Sequence, residues 1–211
     1  MNGNGRLSWR VLWGDLSPFA LLPGGALLFV ASDRLAHSLL VLAAFVWVYC
    51  LSSLAVFAGS RFFPTRGRTV LLAFVASFAA CLYLLLISTL FPLAALHTFF
   101  AVSLVPMLRV GSGTPRGIER AGLARTLRLS FADALVAGSL VVALALIREP
   151  LGFRSLSLPG GASGLLVFHP FGDETPVYLR FLSGSFGALA LLGYGLGAYR
   201  HLREKQTGGN G

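Results

Sequence analysis

The side chains in this chain that could do chemistry are few and scattered. Its two cysteines, Cys50 and Cys81, lie inside apolar runs, where a thiol behaves as a small hydrophobic group. The four histidines, at positions 37, 97, 169 and 201, stand singly, and no Cys-x-x-Cys or Cys/His ligand spacing occurs. We therefore predict that this chain alone binds no metal or cofactor. No catalytic nucleophile, phosphate-binding loop or nucleic-acid motif is found.

Charged residues at the ends of one apolar run are the remaining candidates for a site. Asp133 lies near the start of the run Phe131 to Ile147, and Arg148 and Glu149 close it, with Gly152 just beyond. Ionisable groups at membrane depth are costly and mark pathways or pairings. These four residues are candidate ion-path or subunit-contact residues. Two plainer interpretations stay open, since an acid also stabilises a helix N-terminus and charged pairs also anchor helix ends at the interface.

The element that must position these residues is a membrane bundle, and Thr69 to Leu108 is its clearest part. These forty residues contain no Asp, Glu, Lys or Arg. About 20 apolar helical residues cross a bilayer, so forty predict two crossings. Proline removes a backbone donor and disfavours helical geometry before it, so the turn is expected at Phe91-Pro92. We predict a membrane hairpin with arms Thr69–Leu90 and Pro92–Leu108, the second interrupted at Pro106.

The composition supports the same class of protein. Of 211 residues 55% are hydrophobic and only 12% charged, with a mean hydropathy of +0.76, whereas a soluble domain has about 25% charged residues. A net charge of +9 would suggest nucleic acid in a soluble chain, but the arginines here lie between apolar runs. The other predicted spans are Leu16–Ser32, Leu35–Ala58, Phe131–Ile147 and Val177–Tyr199. A signal peptide is the alternative for Leu16–Ser32, but a Pro-Gly-Gly break fits one poorly.

The connecting segments give the orientation. We expect Arg109 to Ser130 to form a loop with at most a short surface helix, and Leu151 to Pro176 to be an irregular connector. With six spans, thirteen Lys and Arg residues fall on the side of the N-terminus and four on the other side. The positive-inside rule then places both termini in the cytoplasm.

The six spans divide into two halves of three within one membrane domain, residues 1–211. Repeat one covers about 12–91 and repeat two about 92–200, followed by a polar tail, 201–211. Halves with an odd number of crossings are inverted relative to each other if they are structural copies. The first span of each half carries helix breakers, namely Pro23, Gly24 and Gly25 in one and Pro106 in the other. Such paired broken spans predict an all-α inverted-repeat membrane protein.

Several short motifs resemble one known family. The stretch Arg148-Glu149-Pro150-Leu151-Gly152, followed by Phe-Arg-Ser-Leu, resembles the exit of the fifth span in the E subunit of Rnf and the D subunit of Nqr complexes. Ser17-Pro18, Asp133-Ala134 and Gly184-Ser185-Phe186 are similar to further landmarks of that family. The resemblance extends over nearly the whole chain, though each motif is short.

The resemblance implies a membrane subunit of an ion-coupled electron-transport complex in the bacterial inner membrane. In the family, two such subunits pair and share an iron-sulfur cluster held by cysteines from the broken spans. Here Gly24-Gly25-Ala26 and Ser103-Leu104-Val105 stand at those positions, so no ligand remains. The expected partners are the lipid bilayer, other membrane subunits and subunits carrying flavin and iron-sulfur clusters, with no nucleic acid. The chain would have no catalytic residues of its own.

Two other classes are compatible with the sequence. A small secondary transporter would bind solute at the broken spans, although few polar residues lie at midplane. A noncatalytic membrane scaffold would need no site at all.

Overall fold

The computed structural model describes residues 34–60, 62–112, 122–160, 165–168, 181 and 184–208. In this part of the chain, long helices follow one another and a β-hairpin interrupts them once. The helices are α1 (Leu35–Gly59), α2 (Thr65–Leu90), α3 (Pro92–Gly111), α4 (Leu123–Phe153) and α5 (Ser185–Gly208), and the strands between α4 and α5 are β1 (Leu156–Pro159) and β2 (Leu165–Phe168). The predicted first span, Leu16–Ser32, with its break at Pro23, Gly24 and Gly25, lies outside the described residues.

Four of these helices, α1 to α4, are long and apolar enough to cross a membrane. The predicted hairpin is present, because α2 ends at Leu90 and α3 begins at Pro92, with Phe91 between them in a non-helical conformation. In α5 the apolar part is shorter, Phe186–Gly195. The prediction of a mainly helical chain with several helices of membrane-spanning length and apolar composition is confirmed.

The predicted interruption at Pro106 is absent, since α3 is a continuous helix from Pro92 to Gly111. Proline removes the single hydrogen bond that its own N–H would donate. Five residues follow Pro106, and the helix closes its last turn with Ser112 N–H donating to Leu108 O at 2.9 Å. Membrane helices tolerate proline where neighbouring groups satisfy the backbone.

The loop predicted for Arg109 to Ser130 is also shorter than expected. Arg109 belongs to α3, and α4 begins at Leu123, eight residues before the predicted start of the span. At 1.5 Å per residue the 31 residues of α4 extend about 46 Å, compared with about 30 Å for the hydrocarbon core. The helix is therefore long enough for its charged ends to lie beyond the apolar layer. The helix stops at Arg154, whose φ of 54° is left-handed.

One expectation for the C-terminal third is corrected, and one element extends further than the predicted span. The connector after α4 contains an antiparallel hairpin in which Leu156 pairs with Phe168 and Pro159 with Leu165. Four-residue strands leave too short an alternation to be recognised in a sequence. The helix α5 continues to Gly208, so most of the predicted tail is helical.

The packing of side chains is consistent with a helix bundle in a membrane. Helix α1 is central and packs against α2, α3, α4 and β1. The buried faces of α2 and α3 carry small residues such as Ala76, Ala79, Ala94 and Ala101. Their large side chains point outward, as at Val70 and Phe74 (both 71% exposed) and Leu96 (77%). Small residues allow membrane helices to approach one another closely, and lipid accommodates the large apolar side chains that point outward.

Two side-chain hydrogen bonds tie α2 to α1 inside the bundle. Tyr83 donates its hydroxyl to Leu40 O at 2.6 Å, and Trp47 Nε1–H donates to Ala79 O at 3.2 Å. The two rings contact each other, with centroids 6.5 Å apart. These bonds fix the rotation of α2 against α1 at two levels.

Replacing Tyr83 by phenylalanine removes one of these bonds and should have a small effect. Bonds between membrane helices contribute about 0.6 kcal/mol on average. We expect the thermal midpoint of the purified protein to fall by roughly 1–3 °C, measured by loss of the monodisperse peak after heating. Tyr194→Phe is the matched control, because Tyr194 is 81% exposed. An equal shift in both variants would contradict the role of the Tyr83 bond.

Candidate functional site

The candidate residues are positioned by one antiparallel helix pair, α1 and α4. The two helices meet at three levels, namely Leu35 with Glu149, Leu42 with Gly138, and Ser53 with Ser130. The 18 residue steps from Leu35 to Ser53 correspond to about 27 Å along a helix. Polar contacts therefore lie at the two ends of a membrane-sized apolar interface. We call these ends the Glu149 end and the Arg109 end.

At the Glu149 end, side chains from the far end of the chain cap the first turn of α1. Glu149 Oε2 accepts the Leu35 N–H at 2.7 Å, and Ser157 Oγ of β1 accepts the Ala36 N–H at 3.2 Å. Glu149 and Ser157 are both 0% exposed. The first N–H groups of a helix lack partners within the helix, and its N-terminus favours negative charge. Glu149 and Ser157 thus supply the cap that Arg34, the residue before α1, does not.

Arg148 and Gly152 are also buried, and Arg148 forms its hydrogen bond near α5 rather than with α1. Arg148 is 3% exposed, and its Nη2–H donates to Gly184 O, just before α5, at 3.1 Å. The adjacent pair Arg148-Glu149 therefore binds two different elements, α5 on one side and α1 on the other. The structure places both inside the chain rather than on an outer surface.

At the Arg109 end, a guanidinium is enclosed by hydroxyl groups. Arg109 is 1% exposed. Its Nε–H donates to Ser52 Oγ at 3.1 Å, Nη2–H to Ser53 Oγ at 2.6 Å and Nη1–H to Ser112 Oγ at 3.4 Å. The guanidinium also lies over the Tyr49 ring, with Cζ 4.8 Å from the centroid, a cation–π contact.

This cluster extends from α3 through α1 to α4. Ser53 and Ser130 hydroxyl oxygens are 2.6 Å apart, so the α1 hydroxyl that holds Arg109 also bonds α4. Asp133, one turn further along α4, has an exposed side chain and interacts electrostatically with Arg109. The structure therefore separates Asp133 from Arg148, Glu149 and Gly152, because they lie at opposite ends of α4.

Two histidines that are distant in sequence stack at the Glu149 end. The rings of His37 on α1 and His97 on α3 have centroids 5.3 Å apart and are nearly parallel, at 10°. No group of three or more His, Cys, Asp or Glu side chains suited to a metal occurs among the described residues. Cys50 and Cys81 are free thiols on α1 and α2.

Sequence reasoning missed the residues that hold the charged groups. The sequence predicts a loop at Arg109 because this residue ends an uncharged run. Ser52, Ser53 and Ser130 carry one usable signal, since hydroxyl residues inside an apolar span often bond across helices. Nothing in the sequence marks the Leu35 N–H or Ser157 as partners of Glu149.

No family model, curated protein or solved structure matches this chain. Any functional assignment therefore depends on the geometry of the chain itself and on the motifs in its sequence.

Removing the Ser157 hydroxyl tests the cap on α1. Ser157→Ala leaves the buried Ala36 N–H without its acceptor, and loss of a capping hydroxyl costs about 1 kcal/mol. We expect the thermal midpoint to fall by roughly 2–4 °C. Ser139→Ala is the control, because Ser139 is exposed and bonds only its own helix, at Val136 O. An unchanged midpoint for Ser157→Ala would show that Glu149 alone suffices.

Proposed function

We propose that this chain is a membrane subunit of an ion-coupled electron-transport complex of the Rnf/Nqr type, with no iron-sulfur cluster of its own. In this proposal it has six spans in two inverted repeats and lies in a bacterial inner membrane with both termini in the cytoplasm. Its partners carry the flavin and iron-sulfur centres. It contributes structure and ion handling rather than catalytic residues.

The observation that carries the proposal is the position of the motif most similar to the family. Arg148, Glu149 and Gly152 are all buried at the end of α4, and Glu149 bonds the first turn of α1. Helices α1 and α4 are the second spans of the two proposed repeats. An antiparallel contact between equivalent helices is what a two-fold axis in the membrane plane produces.

Helix α3 carries one of the two positions where the family holds cluster cysteines. Helix α3 runs without a break past Ser103, which is exposed and bonds Phe99 O of its own helix at 2.8 Å. No thiol lies on α3, and iron-sulfur clusters in this setting need thiolate ligands.

The distribution of arginines favours the proposed orientation. Arg109 and the exposed Arg125 and Arg128 lie at the same end of the bundle, with Arg68 near the start of α2. At the other end, the described basic residues are Arg34, Arg148 and Arg154. The Arg109 end is therefore the proposed cytoplasmic face.

Co-purification tests the proposal. The tagged full chain is cross-linked in its native membrane, solubilised and captured, and the partners are identified by mass spectrometry and by flavin and iron absorption. We expect flavin- and iron-containing subunits in stoichiometric amounts. Capture of the chain alone from cross-linked membranes would contradict the proposal. Transport of a solute by the isolated chain in liposomes, or full activity of the complex after deletion of the gene, would also contradict it.

A further inference from the structure

We propose that Glu149 is a binding site for one alkali-metal cation. The site lies at the Glu149 end of the bundle, between the last turn of α4, the first turn of α1 and β1. It gives the proposed ion-coupled complex an ion site, and to that extent it rests on the proposed function. All the residues that form the site, however, belong to this chain.

The first observation is a buried carboxylate oxygen without a partner. Glu149 is 0% exposed, and only Oε2 is used, in the bond from Leu35 N–H. Oε1 has no hydrogen-bond partner in the part of the chain that the structure describes. A buried carboxylate bonded to a single neutral donor has lost most of its hydration without an equivalent replacement. Oε1 therefore has the free lone pairs that a cation requires.

The second observation concerns the charges around the carboxylate. The N-terminus of α1 brings partial positive charge to Glu149, but Glu149 also lies near the C-terminus of its own helix, which brings partial negative charge. These two contributions oppose each other. The helix ends alone thus leave the carboxylate charge largely uncompensated.

The neighbouring basic side chains are engaged with other groups. Arg148 donates to Gly184 O, and the Arg34 guanidinium lies over the Phe153 ring at 5.4 Å. His37 stacks on His97. Arg154 follows α4 directly, and β1 contributes no ionisable side chain.

The oxygens around Glu149 are of the type that an alkali ion binds. Such an ion needs several oxygen ligands, and Glu149 Oε1, Ser157 Oγ and carbonyl groups at the end of α4 are groups that hard cations bind. The bound ion would compensate the negative charge of the carboxylate.

The experiment uses the purified full chain without partners. Its thermal midpoint is measured at constant pH and ionic strength while sodium, lithium or potassium replaces choline. We expect the midpoint to rise with at least one of the three alkali ions. Glu149→Gln removes the carboxylate charge and should abolish the response. A wild-type protein whose midpoint is the same in all four salts would overturn the proposal.

Three further variants keep the result decisive. Asp133→Asn removes the acid at the other end of α4, and His37→Gln removes the nearby imidazole; both should keep the alkali-ion response. A response that survives in Glu149→Gln, or that is lost with Asp133→Asn or His37→Gln, would overturn the assignment to Glu149. If Glu149→Gln does not fold, infrared spectra of the wild type and of Glu149→Asp are recorded with and without the cation. The carboxylate band that changes with the cation in the wild type must lie at a different frequency in Glu149→Asp. The same band in both proteins would overturn the proposal. A failed co-purification leaves these results intact, because the assay needs no partner.

Discussion

Gly138→Leu is expected to lower the thermal midpoint by roughly 5–10 °C, because it forces α1 and α4 apart. A Cβ atom built at Gly138 meets the Leu42 side chain and lies 3.2 Å from the Leu42 Cα. Rotation of the Leu42 side chain can move its nearest methyl group but not its Cα, so a tight contact with the backbone remains. Overpacking a tight interface costs about 1–3 kcal/mol for small insertions, and leucine is larger than most.

Two variants calibrate this prediction. Gly138→Ala adds only the Cβ and should give an intermediate shift. Gly195→Leu makes the same change on α5 where nothing lies within 4 Å, and it should leave the midpoint nearly unchanged. The measurement is the fraction of monodisperse protein after heating. A midpoint for Gly138→Leu equal to that of Gly195→Leu would mean that α1 and α4 are not packed as described.

The membrane hairpin was predictable from the sequence because its determinants are local. An uncharged run of known length and one proline fix two crossings and their turn, and α2 and α3 divide at Phe91 as expected. Pro106 was misjudged for a physical reason. A proline close to a helix end removes one bond, and the tertiary contacts of α3, in which Pro106 itself is buried, hold the rest.

The ends of the helices were harder to predict, because charge was taken as the boundary of the apolar layer. Arg109 ends an uncharged run in the sequence, yet it is buried in the fold since α1 supplies hydroxyls more than fifty residues away. The start of α4 was placed at Phe131 for the same reason, although a helix can extend beyond the apolar layer and carry its arginines with it.

The candidate site was half predictable. Charge at the end of a span marked Arg148 and Glu149, but their roles depend on partners that are distant in sequence. The Leu35 N–H is 114 residues from Glu149, and Ser157 is 121 residues from Ala36. A single sequence contains no pattern that joins them. The His37–His97 stack was missed for the same reason, since each histidine stands alone in its own apolar run.

The paired variant Ser52→Ala with Ser53→Ala is expected to lower the thermal midpoint by roughly 10 °C. Both hydroxyls accept hydrogen bonds from the buried Arg109 guanidinium, and Ser53 also bonds Ser130. A hydrogen bond to a charged group contributes about 1.5–3 kcal/mol, and a buried donor left without an acceptor costs at least as much. The positive charge remains in place, now without most of its acceptors.

The reciprocal change makes this prediction specific to Arg109. Adding Arg109→Leu to the serine pair removes the buried charge together with its lost acceptors, and buried ionic groups are often replaced by apolar ones at little cost. We therefore expect the triple variant to recover much of the lost stability. Ser88→Ala with Thr89→Val is the matched control, because these exposed hydroxyls bond only their own helix. If the triple variant is less stable than the serine pair, Arg109 stabilises the bundle through contacts other than these hydroxyls, and its burial requires a different explanation.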